Sequence, residues 1–400
     1  MYGLSDEQLL EVASKYGTPI YVTDLSVVEK NYADIYRAFN EFLPTRVLYA
    51  EKANYNPAIL ACLGSLGAWI DASSPFEIGF AMRSGIDPSR ISFTPANAGP
   101  EELRYAAETG VNVIVVDSSE MLAQLSAISS YRVALRLNPG IRAGHSERVM
   151  TGERGSKFGI YPDDLRHALQ LALDKTRLVG LHSHIGSGIR EPEPYLKVID
   201  YLRKVVRDES LDLEFIDIGG GFDFSAIDHF REVARSFSEA FGDDIRELRV
   251  EPGRYLVKSS SVLLTKVNQV KQAGERCFAQ VDAGMNALIR PMLYGAFHPM
   301  RKLGGSTEEM GLYDVVGPIC ENTDIFGRDV KLSKLREGDV IAIEEVGAYG
   351  YSMSSNYNLR PRPAELVMKG SQVVLYKPME GLDDLFAPYA LAGFKPALDR

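Results

Sequence analysis

The stretch LYAEKANYN, residues 48–56, puts a lysine, Lys52, where an apolar run ends. A charged amine is costly to desolvate at such a place. Other polar residues stand out in similar surroundings. They are Asp71 in AWIDASS, Arg136 in RVALRLNP, His182 and His184 in HSHIGS, Gly219 to Gly221 in DIGGGF, and Glu251, Gly253 and Arg254 in EPGR. Taken singly, each has an ordinary reading. A strand-end lysine usually snorkels to the surface, paired histidines can be satisfied in a core, and a glycine run is weak evidence for more than a turn. Their combined chemistry is more specific. An amine can attack a carbonyl, bare glycine N–H groups let a phosphate approach, and a carboxylate can keep a ring nitrogen protonated so that the ring accepts electrons.

The elements that must position these residues repeat over residues 46–257. Runs rich in Val, Ile and Leu recur at 46–54, 68–74, 90–98, 111–118, 132–139, 178–186, 214–222 and 247–257. Helical segments lie between them, among them PEELRYAAETG, SSEMLAQLSAI, PDDLRHALQLAL and PYLKVIDYLRKVVRDE. Eight nearly continuous apolar strands alternating with helices predict a closed parallel (β/α)8 barrel of TIM type. A doubly wound open sheet stays open as an alternative, because periodicity does not reveal closure. Each polar cluster falls at the carboxyl end of a strand, the rim where barrels build their sites. An amine, a phosphate cradle, an imidazole and a carboxylate on one rim describe a site for pyridoxal phosphate.

After about residue 260 the rhythm changes to short runs bounded by Gly, Pro and Asp, as in KLREGDVIA and RPRPAELVMKGSQVVLYKP. A mostly antiparallel β domain is expected over 271–400, with REGDVIAIEEVGAYG read as a meander. GTPIYVTD (17–24) supplies it with a strand, so the expected division is 28–270 for the barrel and 1–27 with 271–400 for the β domain. The net charge of −10 argues against a nucleic-acid or membrane-surface partner. Three cysteines without paired spacing suit a reducing compartment. With an acidic amphipathic start and no long apolar stretch, a cytoplasmic protein is expected. No metal centre is expected.

These motifs are familiar as a set. YAEKAN, SKFGI, GLHSHIGS, DIGGGF, EPGR, IRPMLYGAFH, GPICENTD and GAYGYSMSSNYN occur in order between about residues 16 and 368. The chain thereby resembles the fold-type III pyridoxal-phosphate decarboxylases, closest to the diaminopimelate decarboxylases. The resemblance implies a homodimer with shared active sites. It also implies that Lys52 is the Schiff-base lysine, that His184 stacks on the cofactor ring and that Glu251 faces the ring nitrogen. Asp71, Arg136, Ser187, Gly220, Gly221, Gly253, Arg254 and Tyr349 complete the implied cofactor shell. Cys320 of GPICEN would arrive from the partner subunit as proton donor; its ordinary reading is a buried thiol. Arg254, Arg290, Tyr294, Glu321 and Tyr349 would contact substrate. An arginine fork matches a carboxylate and a glutamate an amine, which suits the distal amino-acid end of diaminopimelate and its conversion to lysine. Alanine racemases carry an arginine at the place of Glu251, which disfavours a racemase.

Two stretches depart from the family's pattern. DASSPFEI stands where diaminopimelate decarboxylases carry Ser-Gly-Gly-Glu, and places Asp71 and Glu77 as ornithine-type enzymes do. TPANAGPEEL lacks the lysine usual there. A related decarboxylase acting on ornithine, lysine or a secondary-metabolite or siderophore intermediate therefore stays open. A non-catalytic regulatory homologue is the remaining alternative, and the joint presence of Lys52, His184, Glu251 and Cys320 weighs against it.

Overall fold

The structure, a computed structural model, describes residues 4–128, 131–141, 143, 144, 152, 155–305 and 309–389. One short strand, β1 (Ile20–Asp24), precedes eight that form a parallel barrel. These are β2 (Thr45–Ala50), β3 (Trp69–Ala72), β4 (Ile91–Phe93), β5 (Val113–Val116), β6 (Arg132–Arg136), β7 (Arg177–His182), β8 (Phe215–Asp217) and β9 (Glu247–Val250). β2 pairs with β9 in the register Thr45↔Leu248 to Val47↔Val250, so the sheet closes and the open-sheet alternative falls. Val113, Val115, Ala134, Val179 and Phe215 form a buried cluster contributed by four of the strands.

The helices between the strands begin where local chemistry dictates. Pro57–Ser65 is capped by Asn56, whose side chain accepts from the Ala58 N–H, and Pro75–Arg83 by Ser74, which accepts from the Glu77 N–H. Each has proline at its first position, where the absent N–H is no loss. The Glu77 carboxylate reaches back to the Ser73 N–H at 2.6 Å. The unusual DASSPFE stretch is therefore a helix start braced at both ends, and it holds the chain just past β3.

The second unit is a nine-stranded sheet built from β1 and the strands after residue 260: β10 (Ser261–Ala273), β11 (Arg276–Val281), β12 (Met300–Lys302), β13 (Met310–Val316), β14 (Ile325–Ser333), β15 (Val340–Ile343), β16 (Ala364–Lys369) and β17 (Gln372–Lys377). β1 lies between β10, antiparallel, and β16, parallel. Its Ile20 and Val22 join Leu9 and Val12 of the helix Asp6–Tyr16 in a core with Val262, Leu264 and Leu366. Among the described residues no helix is long and apolar enough to cross a membrane.

Compact packing divides the chain into Leu25–Ser260 with Gly347–Ser352, and Met1–Asp24 with Ser261–Val346 and Met353–Arg400. The expected boundary at 270 falls inside β10, a strand of 13 residues paired to β1, β11 and β15. The meander expected in REGDVIAIEEVGAYG is a single strand, β15; the chain then leaves the sheet, and Gly347–Ser352 packs with the barrel unit.

Candidate active site

Lys52 lies in the 3-10 turn Glu51–Ala53 that follows β2. Its Nζ is 2.6 Å from Oδ2 of Asp71, a fully buried residue of β3. Burial works against the ammonium, but Asp71 and then Glu251 outweigh it and lift the amine above its ordinary range. The same surroundings raise Asp71, burial first and Glu251 second.

Glu251 follows β9, and its backbone N–H donates to the Gly219 carbonyl at 2.8 Å, tying the strand end to the glycine run. Its Oε1 lies 3.2 Å from His182 Nε2 and its Oε2 4.0 Å from His184 Nδ1. Burial alone would push this carboxyl up, yet His182 and then Lys52 hold it down at about 2, so it stays ionised. Burial likewise opposes a charge on His182, and Glu251 reverses the balance and raises it. Asp217 is pushed up to about 7 by burial and by Glu251. His184 goes the other way: burial and Arg136 depress it to about 3, and its Nδ1 accepts from the Gly220 N–H at 3.1 Å. It is a neutral ring at physiological pH.

The glycine run allows contacts that no side chain would permit. A Cβ on Gly220 would lie 1.9 Å from the Glu251 carbonyl oxygen, and one on Gly221, which has φ +96°, 2.1 Å from the Gly186 oxygen. Beside it Arg254 Nη2 donates to Ser187 Oγ at 3.2 Å, and the Arg254 guanidinium lies 5.2 Å from the centre of the Tyr349 ring. Gly253 leads into the four-residue helix Arg254–Val257. Tyr349 has φ +59°, a conformation that costs on the order of 1–3 kcal/mol for a side chain of this kind. Its N–H donates to the Ala53 carbonyl at 2.8 Å, which anchors Gly347–Ser352 on the Lys52 turn. A cavity of about 210 Å³ is lined by Lys52, Arg136, Phe158, His182, His184 and Glu251, with Ser73, Thr94 and Ala96.

All the residues expected to hold a cofactor thus belong to the barrel unit: Lys52, Asp71, Arg136, His184, Ser187, Gly220, Gly221, Glu251, Gly253, Arg254 and Tyr349. Arg290, Tyr294, Cys320 and Glu321 belong to the other unit. Arg290 opens the helix Arg290–Tyr294 and is buried. Cys320 is exposed, against the ordinary expectation for a thiol, and its N–H donates to Asn358 Oδ1 at 3.0 Å. Glu321 Oε1 accepts from the Tyr357 hydroxyl at 2.7 Å.

Three partners escaped the sequence reading. Asp117 sits 3.6 Å from Arg136 Nη1 and accepts from the Gly159 N–H at 3.2 Å. Asp217 accepts from the Gly219 N–H at 2.8 Å. Phe158 of SKFGI stacks 4.6 Å beneath the Arg136 guanidinium. Both aspartates end or follow an apolar run, the same signal that exposed Asp71.

A closed parallel barrel whose carboxyl rim gathers an amine, two imidazoles, carboxylates and open glycine backbone is that of a cofactor-dependent barrel enzyme. Residues 25–258 match the family described as pyridoxal-dependent decarboxylase, pyridoxal binding domain, and the chain belongs to that family. A diaminopimelate decarboxylase of Methanothermobacter thermautotrophicus is 40% identical over 94% of this chain and 92% of its own length. One from Aquifex aeolicus is 32% identical over 95% and 93%. Among solved structures, diaminopimelate decarboxylase from Helicobacter pylori complexed with L-lysine superposes with a TM-score of 0.88 at 33% identity, covering 95% of this chain and 98% of that one.

The cofactor is pyridoxal 5'-phosphate, and the residues present fit it. The cavity carries an amine, an ionised carboxylate and a neutral imidazole on one wall system, and the buried Arg254 Nε has no hydrogen-bond partner among the described residues.

Proposed function

We propose that this protein is a pyridoxal-phosphate-dependent diaminopimelate decarboxylase, which releases carbon dioxide from meso-diaminopimelate and leaves L-lysine. The observation that carries the reading is likeness over nearly the whole of both chains to diaminopimelate decarboxylases. The barrel rim supports the reaction type, because Lys52, Glu251 and the Gly219–Gly221 backbone stand together there.

Lys52 would hold the cofactor through its amine, Gly220, Gly221, Ser187 and Arg254 its phosphate, and Glu251 its ring nitrogen. Bound there, pyridoxal phosphate supplies a conjugated ring that takes up the electron pair left when carbon dioxide departs. Glu251, held at about 2, is anionic at neutral pH and would stabilise a positive charge on the ring nitrogen of the bound cofactor. His184, held neutral, offers a flat face without a competing charge. Asp71, Arg136, Gly253 and Tyr349 complete the walls. The carbon that loses carbon dioxide must then gain a proton, and Cys320 of a partner subunit in a homodimer delivers it from its thiol. At the far end of the substrate, Arg290 with Tyr294 binds the second carboxylate and Glu321 the second ammonium.

A second reading has one observation in its favour. The DASSPFE stretch at the end of β3 departs from the Ser-Gly-Gly-Glu pattern of diaminopimelate decarboxylases, so a decarboxylase for another basic amino acid is the runner-up. A panel decides between them. Carbon dioxide release should be fast from meso-diaminopimelate and slow from lysine, ornithine and arginine. Each of those leaves a buried charged partner unfilled, a loss of about 2–5 kcal/mol. Ornithine or lysine turned over as well as diaminopimelate would overturn the assignment.

A further inference from the structure

Arg290 is 5% exposed and begins a helix of only five residues. The chain then turns through Gly295, at φ +64°, and returns His298 to the Arg290 side chain. Arg290 Nη1 and His298 Nε2 are 3.1 Å apart, and His298 Nδ1 is 3.0 Å from the Glu344 carbonyl oxygen. These two contacts define the tautomer. A carbonyl only accepts, so Nδ1 carries the proton; a guanidinium only donates, so Nε2 is the acceptor. His298 is a neutral strut with its donor on one anchor and its acceptor on the other.

The far anchor is itself braced. The Glu344 N–H donates to the Pro299 carbonyl at 2.8 Å, and its carboxylate accepts from Arg301 Nε at 2.8 Å. β12 and β15 pair alongside, Met300 with Ile343. The ring is 2% exposed and so has little room to swing. An arginine side chain is long and rich in rotamers, and its fork recognises a carboxylate only in one plane. Here one terminal nitrogen is already committed, so the plane is set before a ligand arrives.

We infer that His298 is a positioning residue that presents the Arg290 fork and thereby sets selectivity for a substrate ending in a carboxylate. The inference rests on the role given to Arg290 above. It goes beyond that role by assigning the discrimination to a residue that touches no substrate.

The test uses the holoenzyme and two competitive inhibitors of similar length. L-Lysine can present a distal amino-acid end, whereas cadaverine has no carboxylate. In His298→Ala, the KM for diaminopimelate and the inhibition constant for lysine should rise together by about 2–13-fold, the scale of one long side chain left to be ordered on binding. The kcat and the cadaverine constant should hold. His298→Gln, which can keep an acceptor for Arg290, should recover most of the loss. His298→Asn, which reaches only as far as Nδ1, should not. If His298→Ala does not fold, the contrast between the Gln and Asn variants decides the matter. Lysine and cadaverine weakening alike, or neither weakening, would overturn the inference. Arg290→Ala separates the two claims. If it leaves the lysine-to-cadaverine ratio unchanged, the role of Arg290 is wrong; if it collapses the ratio while the His298 variants do not, only the strut is wrong.

Discussion

Glu51 and Lys52 are neighbours with opposite environments. They share a 3-10 turn, in which successive side chains point about 120° apart. Lys52 meets Asp71, and two-fifths of its side chain remains exposed. Glu51 is fully buried, and neither of its carboxylate oxygens has a hydrogen-bond partner among the described residues. Burial, then the charges of Glu77 and Asp71, push it from 4.5 up to about 9. It is therefore a neutral acid in the folded chain at pH 7, while the unfolded chain would ionise it. The folded state binds the extra proton between 4.5 and 9, so the stability of the wild type falls as pH rises through that window. The residue lines an open pocket with Glu77 and the rings of Tyr55, Phe76 and Phe80. Glu51→Met should raise stability by about 1–3 kcal/mol from the unpartnered carboxyl alone, with the gain smallest below pH 4.5 and growing up to about pH 9. Urea midpoints across pH check this; a gain that shrinks with rising pH would count against a neutral Glu51.

At the scale of elements, the loops after β7, β8 and β9 are packed against each other through glycine. Gly221 adopts φ +96° and has no room for a methyl group beside the Gly186 oxygen, while Gly220 lies against the Glu251 carbonyl. The cradle and the carboxylate are thus one packed object. Gly221→Ala should cost at least about 1–3 kcal/mol from the backbone conformation alone, with the methyl clash added. It should also weaken cofactor affinity, since the loop can relax only by moving its N–H groups. Melting of the apoprotein and equilibrium dialysis of pyridoxal phosphate measure the two effects. Unchanged affinity in the alanine variant would show that the cradle lies elsewhere.

For the whole molecule, the proposal that Cys320 acts from a partner subunit would make assembly part of the chemistry. The proposed cofactor shell belongs to the barrel unit, and the proposed proton donor is an exposed cysteine of the other. Lys52→Ala and Cys320→Ala homodimers should each be inactive. Mixed under conditions of subunit exchange, they should regain about one quarter of wild-type activity, since half of the randomly paired dimers are mixed and each holds one intact site. No recovery, with exchange demonstrated by a tagged subunit, would remove Cys320 from the partner's site.

Much of this was legible in local pattern. Eight apolar runs correspond to the eight barrel strands, and Lys52, Asp71, Arg136, His182, the glycine run and Glu251 lie at or just past their carboxyl ends. Such features are readable because strand formation and the character of a strand end depend on neighbours within a few residues. Ordered motifs spread along the chain carried the family as well. Other features depend on residues far apart in the chain. Closure rests on the pairing of Thr45–Val47 with Leu248–Val250, some 200 positions apart. The return of Gly347–Ser352 to the barrel unit, hidden in a stretch that reads as a meander, rests on hydrogen bonds from Tyr349 to Ala53 and from Asn54 to Gly347. The charge states of Glu251, His184 and Glu51 belong to the same class. All are acids or bases of ordinary type, and only burial together with particular neighbours brings one carboxyl to about 2, an imidazole to about 3 and another carboxyl to about 9. Electrostatic environment is set by distance in space, and folding alone brings those distances into being.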